Sequence, residues 1–121
     1  MCGKAILIVE DDYLNRRLTK KVLAENGYEV FEAKNATIAL ETLTNNLIDL
    51  AILDINLGEK VMDGIDLSQQ IHDRFHIPFI YLSAYENKHF LDRANAISPT
   101  TYLTKPFKNS DLIAALEMAL H

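Results

Sequence analysis

Short apolar runs of strand length alternate along this chain with segments whose apolar residues recur at helical spacing, and this alternation restricts the possible folds most strongly. The predicted strands are residues 5–9, 28–33, 50–53, 79–83 and 101–104. Because each connection is short and holds one helical segment, the strands must be parallel and joined by right-handed crossovers. The sequence therefore predicts a doubly wound α/β domain with a five-stranded parallel sheet and five helices.

The predicted helices are marked by their apolar spacing and by residues that favour helix ends. The first carries Leu14, Leu18 and Val22 and ends at Gly27, which favours a left-handed cap. The second begins after Asn35, whose side chain can cap a helix. The other three apolar stripes lie within residues 65–75, 87–97 and 112–120.

Size and composition exclude several classes of protein. A chain of 121 residues forms one domain, here residues 1–121, with a single core. The net charge of −5 argues against direct binding to nucleic acid. The longest apolar runs are too short for membrane insertion or for a signal-peptide core, so we expect a cytoplasmic protein. Cys2 is the single cysteine, which excludes an internal disulfide and a thiolate metal cluster.

Polar and charged residues follow four of the five predicted strands. Glu10 and Asp11 come after the first strand, Asp54 after the third, Ser83 ends the fourth and Lys105 follows the fifth. Since parallel strands end at one edge of the sheet, these residues should converge there. Three carboxylates, a hydroxyl and a lysine at one edge are better explained as a site than as chance.

The charges of this predicted cluster suggest its chemistry. Carboxylates within about 4 to 6 Å repel by roughly 1 kcal/mol per pair in water and about 4 kcal/mol at an effective dielectric near 20. One lysine cannot balance three carboxylates, whereas Mg²⁺ prefers oxygen ligands of this kind and commonly binds beside phosphate oxygens. Asp54 could then act as a nucleophile that forms an aspartyl phosphate.

The motifs together resemble the receiver domain of two-component response regulators over the whole chain. The motifs are Glu10-Asp11, Asp54 within Leu-Asp-Ile-Asn, Asp63-Gly64, Ser83-Ala84, Tyr102 and Lys105-Pro106-Phe107. The resemblance implies the flavodoxin-like strand order 2-1-3-4-5. It also implies a signalling domain in a phosphorelay, which is no enzyme apart from Mg²⁺-dependent phosphorylation and dephosphorylation of itself.

The same resemblance assigns roles to individual residues. It makes Asp54 the phosphoacceptor and Ser83 the switch hydroxyl, with Lys105 contacting the phosphoryl group and Tyr102 as the switch aromatic. Its Mg²⁺ ligands would be Glu10, Asp11, Asp54 and the backbone carbonyl of Asn56. A histidine kinase or histidine phosphotransfer protein would donate the phosphoryl group. Phosphorylation would change the surface of the fourth helix, fifth strand and fifth helix, through which a phosphorylated homodimer could form.

Departures and alternatives accompany this prediction. The loop at residues 57–62 is longer than the usual family version and lacks its proline. The main alternative is a degenerate receiver that docks partners without phosphorylation. An FMN carrier fits less well, because the acidic turn Glu10-Asp11-Asp12 would repel the FMN phosphate in the absence of a metal. An aspartyl-phosphate hydrolase fits less well, because Asn56 stands where such enzymes commonly have a second aspartate. Asp12 is expected to cap the first helix, and His72 and His76 to face solvent.

Overall fold

The computed structural model describes residues 3–55, 67–83, 101–104 and 108–120, with backbone alone for residues 54, 55, 83, 101, 102 and 104. Its strands are β1 (Ala5–Val9), β2 (Glu29–Ala33), β3 (Leu50–Ile55), β4 (Phe79–Ser83) and β5 (Thr101–Thr104). Its helices are α1 (Tyr13–Glu25), α2 (Ala36–Asn45), α3 (residues 67–75, ending in a π-helical turn at Ile71–Phe75) and the C-terminal helix (Asn109–Leu120).

The five strands form one parallel sheet in the order β2-β1-β3-β4-β5. This confirms the predicted fold class and strand order. The bounds of β1, β4 and β5 are those predicted, whereas β3 continues to Ile55, so that Asp54 lies within the strand, one residue before its end. The predicted helix at residues 87–97 and the start of the third helix lie outside the described residues.

The core consists of two hydrophobic clusters, one on each face of the sheet. Alternate strand residues contribute to opposite clusters, since Leu7 belongs to one, and Ile6 and Ile8 to the other. One cluster contains buried residues of α2 and α3, and the other contains buried residues of α1 and the C-terminal helix. The sheet is thus covered on both faces, as a wholly parallel sheet requires.

The predicted helix ends at Asn35 and Gly27 are confirmed. The Asn35 side chain accepts a hydrogen bond from the Ile38 N–H at 2.9 Å, which caps α2. Gly27 has a φ of +89°. The Gly27 N–H donates to the Ala24 carbonyl at 3.1 Å and the Tyr28 N–H to the Leu23 carbonyl at 3.2 Å, the pattern of a Schellman motif.

Helix α1 does not bury the apolar residues that marked it in the sequence. Leu14 is 63% exposed and Leu18 is 54% exposed, whereas Leu23 is fully buried. The face that α1 turns toward the sheet instead holds Leu23 and the largely buried side chain of Arg16. Apolar spacing therefore predicted the helix correctly but left two leucines on the solvent side.

We expect Leu23→Ala to lower the free energy of unfolding by about 2 to 5 kcal/mol, because it removes a fully buried side chain and leaves a cavity. Leu18→Ala, the same substitution on the same helix, should change it by less than about 0.5 kcal/mol, because Leu18 is more than half exposed. Urea denaturation of both variants measures the difference. Equal losses would contradict the orientation of α1.

Candidate functional site

The carboxyl ends of four strands lie side by side at one edge of the sheet. Val9 of β1 pairs with Leu53 of β3, Ile55 pairs with Ser83 of β4, and Ser83 in turn pairs with Thr104 of β5. Glu10 and Asp11 follow β1 directly, at the same edge. The backbone therefore brings Asp54, Ser83 and the acidic pair to neighbouring strand ends.

The predicted site residues are described to different extents. Glu10 and Asp11 are described in full, while Asp54, Ser83 and Tyr102 are described by their backbone positions in β3, β4 and β5. Asn56 and Lys105 lie outside the described residues. Among the side chains that the structure does describe, no three of His, Cys, Asp or Glu are grouped as a metal site. The predicted site needs the Asp54 side chain, which is not among them.

Glu10 is a buried charged residue, with only 2% of its surface exposed. Its N–H donates to the Ala33 carbonyl of β2 at 3.0 Å, and its carboxylate Oε1 accepts from the Asp12 N–H at 2.9 Å. Its own carbonyl accepts from Arg16 Nη1 at 2.9 Å. The acidic turn is therefore tied to both β2 and α1. Asp11, by contrast, is exposed.

Asp12 is the N-cap of α1, as predicted. Its Oδ1 accepts hydrogen bonds from the N–H groups of Leu14 at 2.9 Å and Asn15 at 3.2 Å. Two of the N–H groups that lack a helical partner at this end are thereby satisfied. This capping role accounts for the carboxylate of Asp12 without a metal.

A group of ion pairs that we did not predict from the sequence lies beside the acidic turn. Glu32 of β2 is 3.2 Å from Arg16, 3.6 Å from Arg17 and 3.4 Å from Lys20, all on α1. The Tyr13 hydroxyl, and then the charge of Glu32, raise the pKa of Arg17. The available sequence signal was the pair of glutamates on a strand next to a helix that carries Arg16, Arg17 and Lys20, since opposite charges on neighbouring elements can pair.

Near the end of β4, a buried hydrogen bond joins the sheet to α3. The hydroxyl groups of Tyr81 and Ser68 bond to each other, and both residues are fully buried. The Tyr81 ring also packs edge-on against Phe79, with centroids 5.5 Å apart. Burial raises the pKa of Tyr81. Because Tyr81 lies two residues before Ser83, this contact fixes the strand on which the predicted switch hydroxyl lies.

The two histidines of α3 have an ordinary structural role. His72 and His76 are both exposed, as predicted. His72 Nδ1 lies 3.1 Å from an Asp73 carboxylate oxygen, and His76 ends the π-helical turn with a φ of +56°. Hydrogen bonds from Gln69 and His72 lower the pKa of Asp73. Nothing in this geometry indicates a metal site on α3.

The fold and the acidic strand edge define a class of doubly wound signalling and nucleotide-binding domains, and comparison with known proteins narrows that class to one family. The response regulator receiver domain family matches residues 6–117. The chain belongs to this family, which confirms the resemblance inferred from the sequence.

Individual relatives support the same assignment. The chain is 35% identical over 118 residues to the transcriptional regulatory protein PdtaR of Mycobacterium tuberculosis, covering 97% of this chain and 57% of that protein. It is 35% identical over 115 residues to the regulatory protein VanR of Enterococcus faecium, covering 95% of this chain and 49% of that protein. The chain thus spans about half the length of these relatives.

Solved structures agree with the fold. A CheY-like receiver domain protein from Methanospirillum hungatei superposes with a TM-score of 0.88 at 30% identity, covering 98% of this chain and 94% of that one.

None of the described helices is long and apolar enough to cross a membrane.

We expect Asp12→Ala to lower the free energy of unfolding by about 0.5 to 2 kcal/mol, because α1 loses its cap. Asp12→Asn should stay within about 0.5 kcal/mol of the original protein, since asparagine caps a helix equally well. Urea denaturation near neutral pH measures both changes. Equal losses in the two variants would mean that the charge of Asp12, and not its capping hydrogen bonds, stabilises the turn.

Proposed function

We propose that this receiver domain accepts a phosphoryl group on Asp54 from a histidine kinase or a histidine phosphotransfer protein. The observation that supports the proposal is the placement of Asp54 in the central strand β3, between the acidic turn that follows β1 and Ser83 at the end of β4. In the transfer, an Asp54 carboxylate oxygen bonds to phosphorus while the bond from phosphorus to the donor imidazole nitrogen breaks. The electron pair leaves with the imidazole, which is then protonated.

The donor set fits Mg²⁺. Glu10, Asp11, Asp54 and the backbone carbonyl of Asn56 would hold the ion, and all four offer hard oxygen ligands. A buried carboxylate such as Glu10, beside a second acidic residue, favours a site that receives a cation. When bound, Mg²⁺ would supply positive charge to the phosphoryl oxygens. Lys105 would contact the same oxygens from the end of β5.

An exposed apolar surface lies close to this edge and could receive the phosphoryl donor. Helix α1 begins two residues after Asp11, and its Leu14 and Leu18 side chains are mostly exposed. A partner must approach Asp54 closely to transfer its phosphoryl group, so it must also cover surface around the strand ends. Burial of two leucines at about 25 cal/mol per Å² would stabilise such a complex.

Phosphorylation would act as a switch. It adds about −1.5 to −2 charges beside Ser83 and Lys105, and the Ser83 hydroxyl can donate to the new oxygens. Tyr102 on the adjacent strand would respond and change the surface of the fourth helix, fifth strand and fifth helix, where a phosphorylated homodimer could form. A shift from about 1:99 to 99:1 requires roughly 5.5 kcal/mol, more than one neutral hydrogen bond provides. The lysine must therefore contribute as well.

The second candidate is a degenerate receiver, residues 1–121 acting as a docking domain without phosphorylation. The sequence counts against this alternative, because it holds every residue that phosphorylation would use: Glu10, Asp11, Asp54, Ser83 and Lys105. A domain that only docks partners does not need all of these residues. We place the domain in the cytoplasm, where histidine kinases act on their partners, and propose that it does not itself bind nucleic acid.

We expect acetyl phosphate to phosphorylate the protein in the presence of Mg²⁺ and not in excess chelator, adding one phosphoryl group by intact-mass measurement. Asp54→Asn should abolish the modification because the amide is not a nucleophile. Asp11→Asn should weaken Mg²⁺ binding severely, because a charged ligand is lost. Asp73→Asn, on exposed α3, is the matched control and should behave as the original protein.

Two results would refute parts of this assignment. Full phosphorylation of the Asp54→Asn variant would show that another residue is the phosphoacceptor. The other result is an original protein that stays unphosphorylated at saturating Mg²⁺, both with acetyl phosphate and with a phosphorylated kinase as donor. That result would favour the degenerate receiver.

We expect Ser83→Ala to be phosphorylated on Asp54 but to show only a weak conformational change at Tyr102. The reason is that alanine lacks the hydroxyl that would move to donate a hydrogen bond to the phosphoryl oxygens. Lys105→Ala should also be phosphorylated, but phosphorylation should then produce little conformational response. Amide chemical shifts with and without beryllofluoride, a phosphoryl mimic, report the response at Tyr102. A full response in Ser83→Ala would exclude the proposed route.

A further inference from the structure

Arg16 connects the acidic turn to the edge strand β2. Its guanidinium Nη1 donates to the Glu10 carbonyl at 2.9 Å, and its Nε donates to Glu32 Oε1 at 3.2 Å. Only 12% of the Arg16 side chain is exposed. The planar guanidinium can hold both acceptors in a fixed geometry, which a lysine ammonium cannot reproduce. Arg16 is thus a charged side chain placed between α1, β1 and β2.

The second acceptor, Glu32, is itself held in place. Its other carboxylate oxygen lies 3.6 Å from Arg17 and 3.4 Å from Lys20. Glu32 also belongs to the paired part of β2, opposite Ile8 of β1. Because Glu32 is fixed by its strand and by two further cations, it provides a firm support for Arg16. The guanidinium can therefore act as a brace and does not merely follow the acidic turn.

The first acceptor belongs to the turn that carries two proposed metal ligands. The Glu10 N–H is bonded to the Ala33 carbonyl, and the Arg16 contact holds the other side of the same residue through its carbonyl. The carboxylate of Glu10 receives the Asp12 N–H. With its N–H, carbonyl and carboxylate all bonded, Glu10 has little freedom to rotate, and the adjoining peptide of Asp11 is restricted with it.

We propose that Arg16 is a positioning residue for the Mg²⁺ site, which holds the Glu10–Asp11 turn in the conformation that binds the ion. This inference rests on the proposed function. Arg16 does not touch the metal in this proposal. It acts through the backbone of Glu10, in the way that outer residues orient the ligands of metal sites.

The sign of the effect separates positioning from simple electrostatics. A positive charge near a cation site opposes metal binding, so removal of Arg16 would tighten Mg²⁺ binding if charge alone mattered. Loss of a positioning contact has the opposite effect, because the ligands must then be ordered when the ion binds. Arg17 provides the matched control, since it is the adjacent residue, carries the same charge and contacts the same Glu32.

The experiment is an Mg²⁺ titration of the full chain followed by amide chemical shifts, with four variants: Arg16→Lys, Arg16→Gln, Arg17→Lys and Arg17→Gln. We expect both Arg16 variants to bind Mg²⁺ about tenfold more weakly than the original protein. Arg17→Lys should bind equally well, and Arg17→Gln equally well or more tightly. Arg16→Lys keeps the charge, so a loss in that variant reports geometry alone.

A second measurement needs no metal. In the metal-free protein, hydrogen exchange of the Asp12 amide, which is bonded to the Glu10 carboxylate, should be faster in Arg16→Lys than in Arg17→Lys. Far-UV circular dichroism of each variant establishes that the fold is retained. If Arg16→Gln fails to fold, the two lysine variants still decide the question.

The outcomes distinguish this inference from the function on which it rests. If the original protein binds no Mg²⁺, the proposed metal site is wrong. If the original protein binds Mg²⁺ and the Arg16 variants bind it equally well or more tightly, the metal site stands and the positioning role of Arg16 is overturned. Equal weakening by the Arg16 and Arg17 lysine variants would also overturn it, because the bond to the Glu10 carbonyl comes from Arg16, whereas the two arginines share the contact with Glu32.

Discussion

Hydrogen bonding between parallel strands is the constraint on which the rest of this protein depends. A chain that pairs its strands in parallel must return over the sheet after each one, and helices on both faces are the result. The two hydrophobic clusters follow from this, since each face of the sheet needs its own cover. The same constraint places every carboxyl strand end at one edge, where Glu10, Asp54 and Ser83 come from separate strands. The candidate site therefore depends on the sheet as a whole.

The acidic turn also carries a cost in stability, because it holds the carboxylate of Glu10 in a buried position. Taking an ionised carboxylate out of water costs several kcal/mol unless hydrogen bonds or opposite charges replace the lost solvent. For Glu10, part of the replacement comes from the Asp12 N–H. The guanidinium of Arg16 lies at the carbonyl of the same residue and adds positive charge nearby. A bound divalent ion would offset more of this cost, so folding and metal binding should support each other in this turn.

The features that were predictable from the sequence are those determined by local pattern. The apolar runs gave β1, β4 and β5 with their correct bounds, and the capping residues Asp12 and Asn35 were correct because capping involves neighbouring residues only. The orientation of α1 was not predictable in this way, since Leu14 and Leu18 have helical spacing but face solvent. The bonds of Arg16 to Glu32 and of Tyr81 to Ser68 join residues that are 16 and 13 positions apart. Spacing along one element gives no information about such contacts.

The position of Glu32 on β2 has one more consequence. As the outer strand next to β1, β2 has one side that no described strand pairs with, and such an edge can recruit a strand from another molecule. Glu29 and Glu32 lie on this strand, and Lys34 follows it directly. An incoming chain would have to strip water from these charges and disturb the ion pairs between Glu32 and α1. The charges beside the acidic turn should therefore also disfavour the addition of a foreign strand at this edge.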